Sequence, residues 1–148
     1  MRTRATVSAT SSRASRSPND GSDRRVAPRV YRREIALTHV FAGVPVRDRE
    51  DAVRWYAQLV GRPPDLSPND EEAAWRLTDS GWLYVVVDAE RAGSGLHTLL
   101  VDDLDAFVAG LAERGIEATP VESLGGAVRR TLVTDPDGNR LNVGEPLG

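Results

Sequence analysis

The sequence predicts an α+β fold built from two βαβββ modules, because three sets of landmarks recur along it in the same order. Val46-Arg47-Asp48 and Val101-Asp102-Asp103 mark two strand-to-helix junctions 55 residues apart. Gly61 and Gly115 follow the two helices at nearly that offset, where a left-handed helix end favours glycine. Thr78-Asp79 returns as Thr134-Asp135 at an offset of 56, and Leu83-Tyr84-Val85 as Leu141-Asn142-Val143 at 58. Spacing held so nearly constant over a whole unit identifies an internal duplication.

The first module, about residues 36–89, is expected to open with a strand over Ala36–Val46. A helix over Arg49–Val60 follows, with Ala52, Trp55, Tyr56, Leu59 and Val60 on one stripe, so it packs on a sheet by one side. Asp48 suits the helix cap, and Asp51 sits three residues on in a capping-box-like position. The stretch with Pro63, Pro64 and Pro68 reads as a loop, and a hairpin over Ala73–Thr78 and Trp82–Val87 completes the module. The second module, about residues 94–146, repeats the plan. Its strand is Leu96–Val101, its helix Leu104–Arg114 is capped by Asp103, and a short strand is expected near Ile116–Val121. A hairpin over Ala127–Thr134 and Arg140–Val143 turns at Asp135-Pro136-Asp137-Gly138-Asn139.

Composition excludes several function classes. The chain has 148 residues and no cysteine, which removes disulfides, thiolate metal sites and cysteine nucleophiles together. It has only two histidines, His39 and His97. No apolar run approaches the ~20 residues of a membrane span, so a cytoplasmic location is expected. All 19 basic residues are arginine. Nine fall in the first 33 residues beside only Asp20 and Asp23, leaving that segment near +7. Residues 34–148 then hold 10 arginines against 20 acids, a balance near −10 that repels nucleic-acid phosphates. Residues 1–33, rich in Arg and Ser, have no hydrophobic period and read as a disordered tail before a domain spanning 34–148. An electrostatic tail, a transit-like segment and sequence upstream of a misassigned start all fit that composition.

Pro45-Val46-Arg47-Asp48, Val101-Asp102-Asp103-Leu104-Asp105 and Asp135-Pro136-Asp137-Gly138-Asn139, in that order and spacing, resemble the vicinal oxygen chelate superfamily. That superfamily includes glyoxalase I, extradiol dioxygenases, fosfomycin-resistance proteins and bleomycin-binding proteins, and the resemblance covers about Leu37 to Pro146. It implies that the paired modules form a curved mixed sheet around a concave cup, with helices outside. It also implies a divalent ion held by four cup-facing side chains in the metal enzymes of the family. Carried over by spacing, those four positions fall on Phe41, Tyr84, Leu96 and Asn142. A ring, a phenol, an isobutyl group and an amide lack the donors such a site needs. No metal or other cofactor is therefore expected.

Strand alternation supplies the rest of the cup. Phe41, Gly43 and Pro45, then Trp82, Tyr84 and Val86, share a face with Leu96, Thr98, Leu100, Arg140 and Asn142. The opposite parity, from Val40 and Val44 to Leu141 and Val143, is almost uniformly aliphatic, as a helix-covered face should be. His39 shares the parity of Phe41 but lies about 7 Å along the strand, a rim position. His97 points to the helix side, where a local hydrogen bond would satisfy it. Arg129 and Arg130 alternate, so at most one faces the cup. Glu71-Glu72 reads as a solvated hairpin end, and Asp135 and Asp137 as turn-formers.

The expected function is binding of a small molecule by His39, Phe41, Trp82, Tyr84, Leu96, Thr98, Arg140 and Asn142, for natural-product or drug sequestration. A homodimer is the expected assembly, with no nucleic-acid or membrane partner. The alternative is a metal-dependent lyase, isomerase or dioxygenase whose atypical ligand set recruits His39 with Glu72 or Glu122. Proton transfer by Tyr84 or His39 without metal, and a cup closed by its own side chains, are two further readings.

Overall fold

A computed structural model describes residues 35–148, and the tail expected over 1–33 lies outside the described residues. The strands are β1 (Val40–Val46), β2 (Leu66–Asn69), β3 (Glu72–Arg76), β4 (Gly81–Val87), β5 (Leu96–Leu100), β6 (Glu122–Leu124), β7 (Val128–Thr134) and β8 (Arg140–Pro146). Helix α1 (Arg49–Val60) follows β1, and helix α2 (Leu104–Glu113) follows β5. Hydrogen bonding groups the strands into two four-stranded sheets, β1-β4-β3-β2 and β5-β8-β7-β6. Each has one parallel pair, β1 with β4 or β5 with β8, and two antiparallel ones. The duplicated landmarks thus correspond to duplicated topology.

Several elements and boundaries differ from the sequence expectation. Strand β1 begins at Val40 rather than Ala36, because β4 begins at Gly81, directly opposite Val40, and offers nothing further to pair. The proline-containing stretch holds β2, an exposed edge strand in which Pro68 need not supply a ladder hydrogen bond. The third strand of the second module is β6, not Ile116–Val121. Ile116 is buried in the core instead, and Thr119 and Thr131 bond through their hydroxyls where ladder bonds would run. Helix α2 stops at Glu113, and Gly115 follows with φ +80°.

Both helix starts are satisfied locally. Asp48 accepts from the Asp51 amide at 2.9 Å, and Asp103 accepts from the Ala106 amide at 3.0 Å. The Asp51 carboxylate pairs with Arg54 rather than returning to the cap, so the capping box is only half made. The last carbonyls of α1 receive the Arg114 guanidinium, which reaches back from beyond α2 to Gln58 and Leu59.

The helix-facing rows merge into one core. Val44, Val46, Leu83, Val85, Leu141 and Val143 are fully buried with Tyr56, Leu59, Leu104 and Leu111. Each large aliphatic side chain so buried contributes about 1.5–3 kcal/mol.

Within this core edge lies a polar knot. The Asn139 amide nitrogen donates to the Pro45 carbonyl and to Asp135 Oδ2, both at 2.8 Å. Its Oδ1 accepts from the Gly93 and Gly95 amides at 3.1 and 2.7 Å. Asp135 Oδ1 accepts the Asp137 and Asn139 amides, while Oδ2 also accepts the Tyr56 hydroxyl at 2.8 Å. Gly93 has φ +92°, and a Cβ there would fall 2.5 Å from the Asp137 carbonyl oxygen. The turn between β7 and β8 is thereby tied to β1, α1 and the connection between modules.

Asn139→Ala removes four hydrogen bonds at once and leaves buried donors unpaired, so it should cost about 3 kcal/mol or more in denaturant unfolding. Burial first, then the Asp135 charge, raises the Tyr56 phenol far above its ordinary range. Because the folded pKa is raised, this contribution is whole below about pH 10, where the unfolded phenol titrates, and declines as pH rises further. Unfolding measured across that range should show wild type losing stability faster than Tyr56→Phe, which is already weaker by about 1.5–3 kcal/mol at neutral pH.

Candidate functional site

Parallel pairing of β1 with β4 places Phe41 opposite Trp82 and Gly43 opposite Tyr84. The Phe41 and Trp82 rings stack with centroids 5.2 Å apart and planes 14° from parallel. Tyr84 meets Phe41 edge-on at 6.3 Å and 66°. The Tyr84 ring lies over Gly43, where a Cβ would come within 2.8 Å of the phenol carbon and oxygen. Glycine at this point therefore lets the phenol lie down on the sheet.

Antiparallel pairing with β3 and β2 extends the same face. Ala74 lies opposite Tyr84, Glu72 opposite Val86 and Leu66 opposite Ala74. Phe41, Tyr84, Leu66, Pro68, Glu72 and Ala74 wall an open cavity of about 240 Å³. All six belong to the first module. Phe41 remains 49% exposed, so the aromatic ledge is open to a ligand.

The second module presents its own half. Leu96 pairs with Arg140 and Thr98 with Asn142, and Leu132 lies across from Asn142. Arg130, opposite Gly144, shares this face and is held by Glu122 at 3.0 Å. Arg129 looks the other way, to Asp105 on α2 at 2.8 Å, as alternation requires. Leu96 and Leu100 stay 58% and 65% exposed. None of Leu96, Arg140 and Asn142 lines the cavity of Phe41 and Tyr84. Trp82 of the first group and Thr98 and Leu100 of the second join Val40, Leu99 and Phe107 around a second cavity of about 530 Å³.

Two sequence readings are corrected here. His97 points inward as expected, but its Nδ1 is buried without a hydrogen-bond partner, so the expected local bond is not made. Glu72 is not a solvated hairpin end; it is half-buried and lines the aromatic cavity. His39 is exposed ahead of β1 and lines neither cavity. Leu66 and Pro68 lie outside the expected site because the sequence of β2 reads as loop, and Ala74 of β3 is a further lining residue beyond that set.

The donor chemistry does not fit a divalent ion. Of Phe41, Tyr84, Leu96 and Asn142, only a phenol and an amide carry oxygen, and the phenol is seated over Gly43. Glu122 is tied to Arg130, whereas Glu72 lies in the cavity of the other module. Among the described residues, no three His, Asp or Glu side chains are grouped to hold a metal.

With this geometry in place, comparison with known proteins is informative. The profile of a glyoxalase-like domain matches residues 40–144. The crystal structure of a glyoxalase/bleomycin resistance protein from Catenulispora acidiphila is 41% identical, with a TM-score of 0.70 over 74% of this chain and 98% of that one. The antibiotic-binding protein TnmS3 from a Streptomyces species is 28% identical, with a TM-score of 0.62 over 76% of this chain and 99% of that one. A glyoxalase/bleomycin resistance protein from the same Streptomyces source is 27% identical, with a TM-score of 0.56 over 71% of this chain and 97% of that one. No curated protein matches.

Proposed function

The chain belongs to the glyoxalase-like domain family, and from that premise we propose that it binds a planar, largely apolar small molecule without a metal ion. The observation that carries this reading is the exposed Phe41–Trp82 stack with Tyr84 beside it, opening on a cavity walled by side chains. Aromatic faces recognise planar ligands by offset stacking, and the sparse polar groups of such a site set orientation. The likeness to an antibiotic-binding protein supports a natural product or drug as the ligand, held rather than converted.

The second half of the site comes from a second copy of the chain in this reading. β1 and β5 are both edge strands, and their Val40, Phe41, Leu96 and Leu100 are exposed. Closing the face of Phe41, Trp82 and Tyr84 with a partner's second-module face would place Leu96, Thr98, Arg140 and Asn142 over the ligand, with His39 at the rim. Apolar side chains on unpaired edges are what such an isologous contact would bury.

Titration of the full chain with 2-naphthylmethanol, a neutral planar probe, tests the site by NMR or calorimetry. Phe41→Ala should weaken binding about tenfold, since stacking contributes roughly 0.5–1.5 kcal/mol beyond area. Its melting temperature should change little, because the ring is half exposed; unchanged affinity would place the ligand elsewhere. Native mass measurement should give twice the chain mass, reduced to one chain by Leu96→Arg with Leu100→Arg. A wild-type monomer that binds the probe as tightly removes the partner copy from the site.

A further inference from the structure

We propose that the ligand of the aromatic face carries a protonated amine, and that Glu72 is the residue that selects it. The inference rests on the small-molecule reading and adds the charge of what is bound. The cavity of about 240 Å³ holds Phe41, Leu66, Pro68, Ala74 and Tyr84 around a single ionisable carboxylate, that of Glu72. Glu72 shares a strand face with Ala74, opposite the fully buried Ala73 and Trp75, so the pleat turns it toward the aromatic side. Its cross-strand partner is Val86, two residues beyond Tyr84 on β4.

The surrounding cations are engaged elsewhere. Arg49 donates to the Glu72 backbone carbonyl at 3.1 Å, not to its carboxylate. Arg76, four residues along on the same face, donates to the Thr78 and Asp79 carbonyls and leans toward the Asp79 carboxylate at 3.7 Å. Among the described residues, no arginine forms an ion pair with Glu72. A half-buried carboxylate among apolar walls is stabilised by an incoming cation, and the faces of Phe41 and Tyr84 attract the same charge. An ammonium group thus satisfies the carboxylate and the rings together, whereas a carboxylate ligand would meet repulsion from both. Residues 34–148, with 10 arginines against 20 acids, reinforce this at long range by steering cations inward.

A matched series separates charge from stacking: 2-naphthylmethylamine, 2-naphthylmethanol and 2-naphthoate, titrated at neutral pH into wild type, Glu72→Gln and Phe41→Ala. The amine should bind about tenfold tighter than the alcohol, with naphthoate the weakest. Glu72→Gln should abolish the advantage of the amine over the alcohol, bringing their affinity ratio to about one. Added salt should shrink the wild-type amine-to-alcohol ratio, which tests the charge even if the variant folds poorly. Equal binding of amine and alcohol, or a preference that survives in Glu72→Gln, overturns the amine assignment and leaves the aromatic site standing if Phe41→Ala still weakens the alcohol. If none of the three binds, or if Phe41→Ala changes nothing, both readings fall.

Discussion

One buried amide governs how the two halves of this chain meet. Asn139 makes four hydrogen bonds to Pro45, Asp135, Gly93 and Gly95, and Pro45 lies 94 positions away in sequence. Those bonds use every donor and acceptor the amide readily offers, at a side chain fully buried from solvent. Asp135 beside it has both oxygens doubly engaged, one of them by Tyr56 from α1. Hydrophobic burial supplies most of the stability of the common core, but burial is non-directional. The polar knot supplies the direction: it sets where the β7–β8 turn sits against the end of β1.

That placement has a chemical result. With both helix-facing rows consumed by the shared core, the opposite rows of the two sheets are left outward, each presenting half of the proposed binding surface. The first half is aromatic, with one carboxylate; the second is aliphatic, with Thr98, Arg140 and Asn142 as its polar points. Neither half alone encloses a ligand. The donor set favours shape and stacking over coordination in the proposed site, since a phenol resting on a glycine is poorly disposed to coordinate.

Much of this architecture is legible in the sequence. Strand alternation in β1 and β4 separated Phe41, Trp82 and Tyr84 from the buried Val44, Leu83 and Val85, because the two parities differ sharply in chemistry. The helices followed from their stripes and caps. What escaped detection has particular causes. Leu66–Asn69 reads LSPN, whose proline and lack of alternation conceal an edge strand. Ile116 signalled burial but not the form of it, and a lone apolar residue cannot distinguish a strand from a plug. Adjacent Glu71 and Glu72 look alike in sequence though only one lines the cavity. Asp135 and Asn139 announce a turn, while the partner that makes them structural, Tyr56, lies 79 residues away from Asp135.

The position of β2 has a consequence for how such a protein diversifies. Leu66 and Pro68 of this strand wall the cavity proposed to take the ligand, yet all four of its residues are exposed and none belongs to the core. Changes at Leu66 or Pro68 can therefore reshape what is recognised with little effect on folding, since surface changes away from buried networks are usually within about 0.5 kcal/mol. On the proposed reading, stability and selectivity reside on different strands of one sheet. Specificity for the bound molecule would then be revised one edge residue at a time, leaving the shared core untouched.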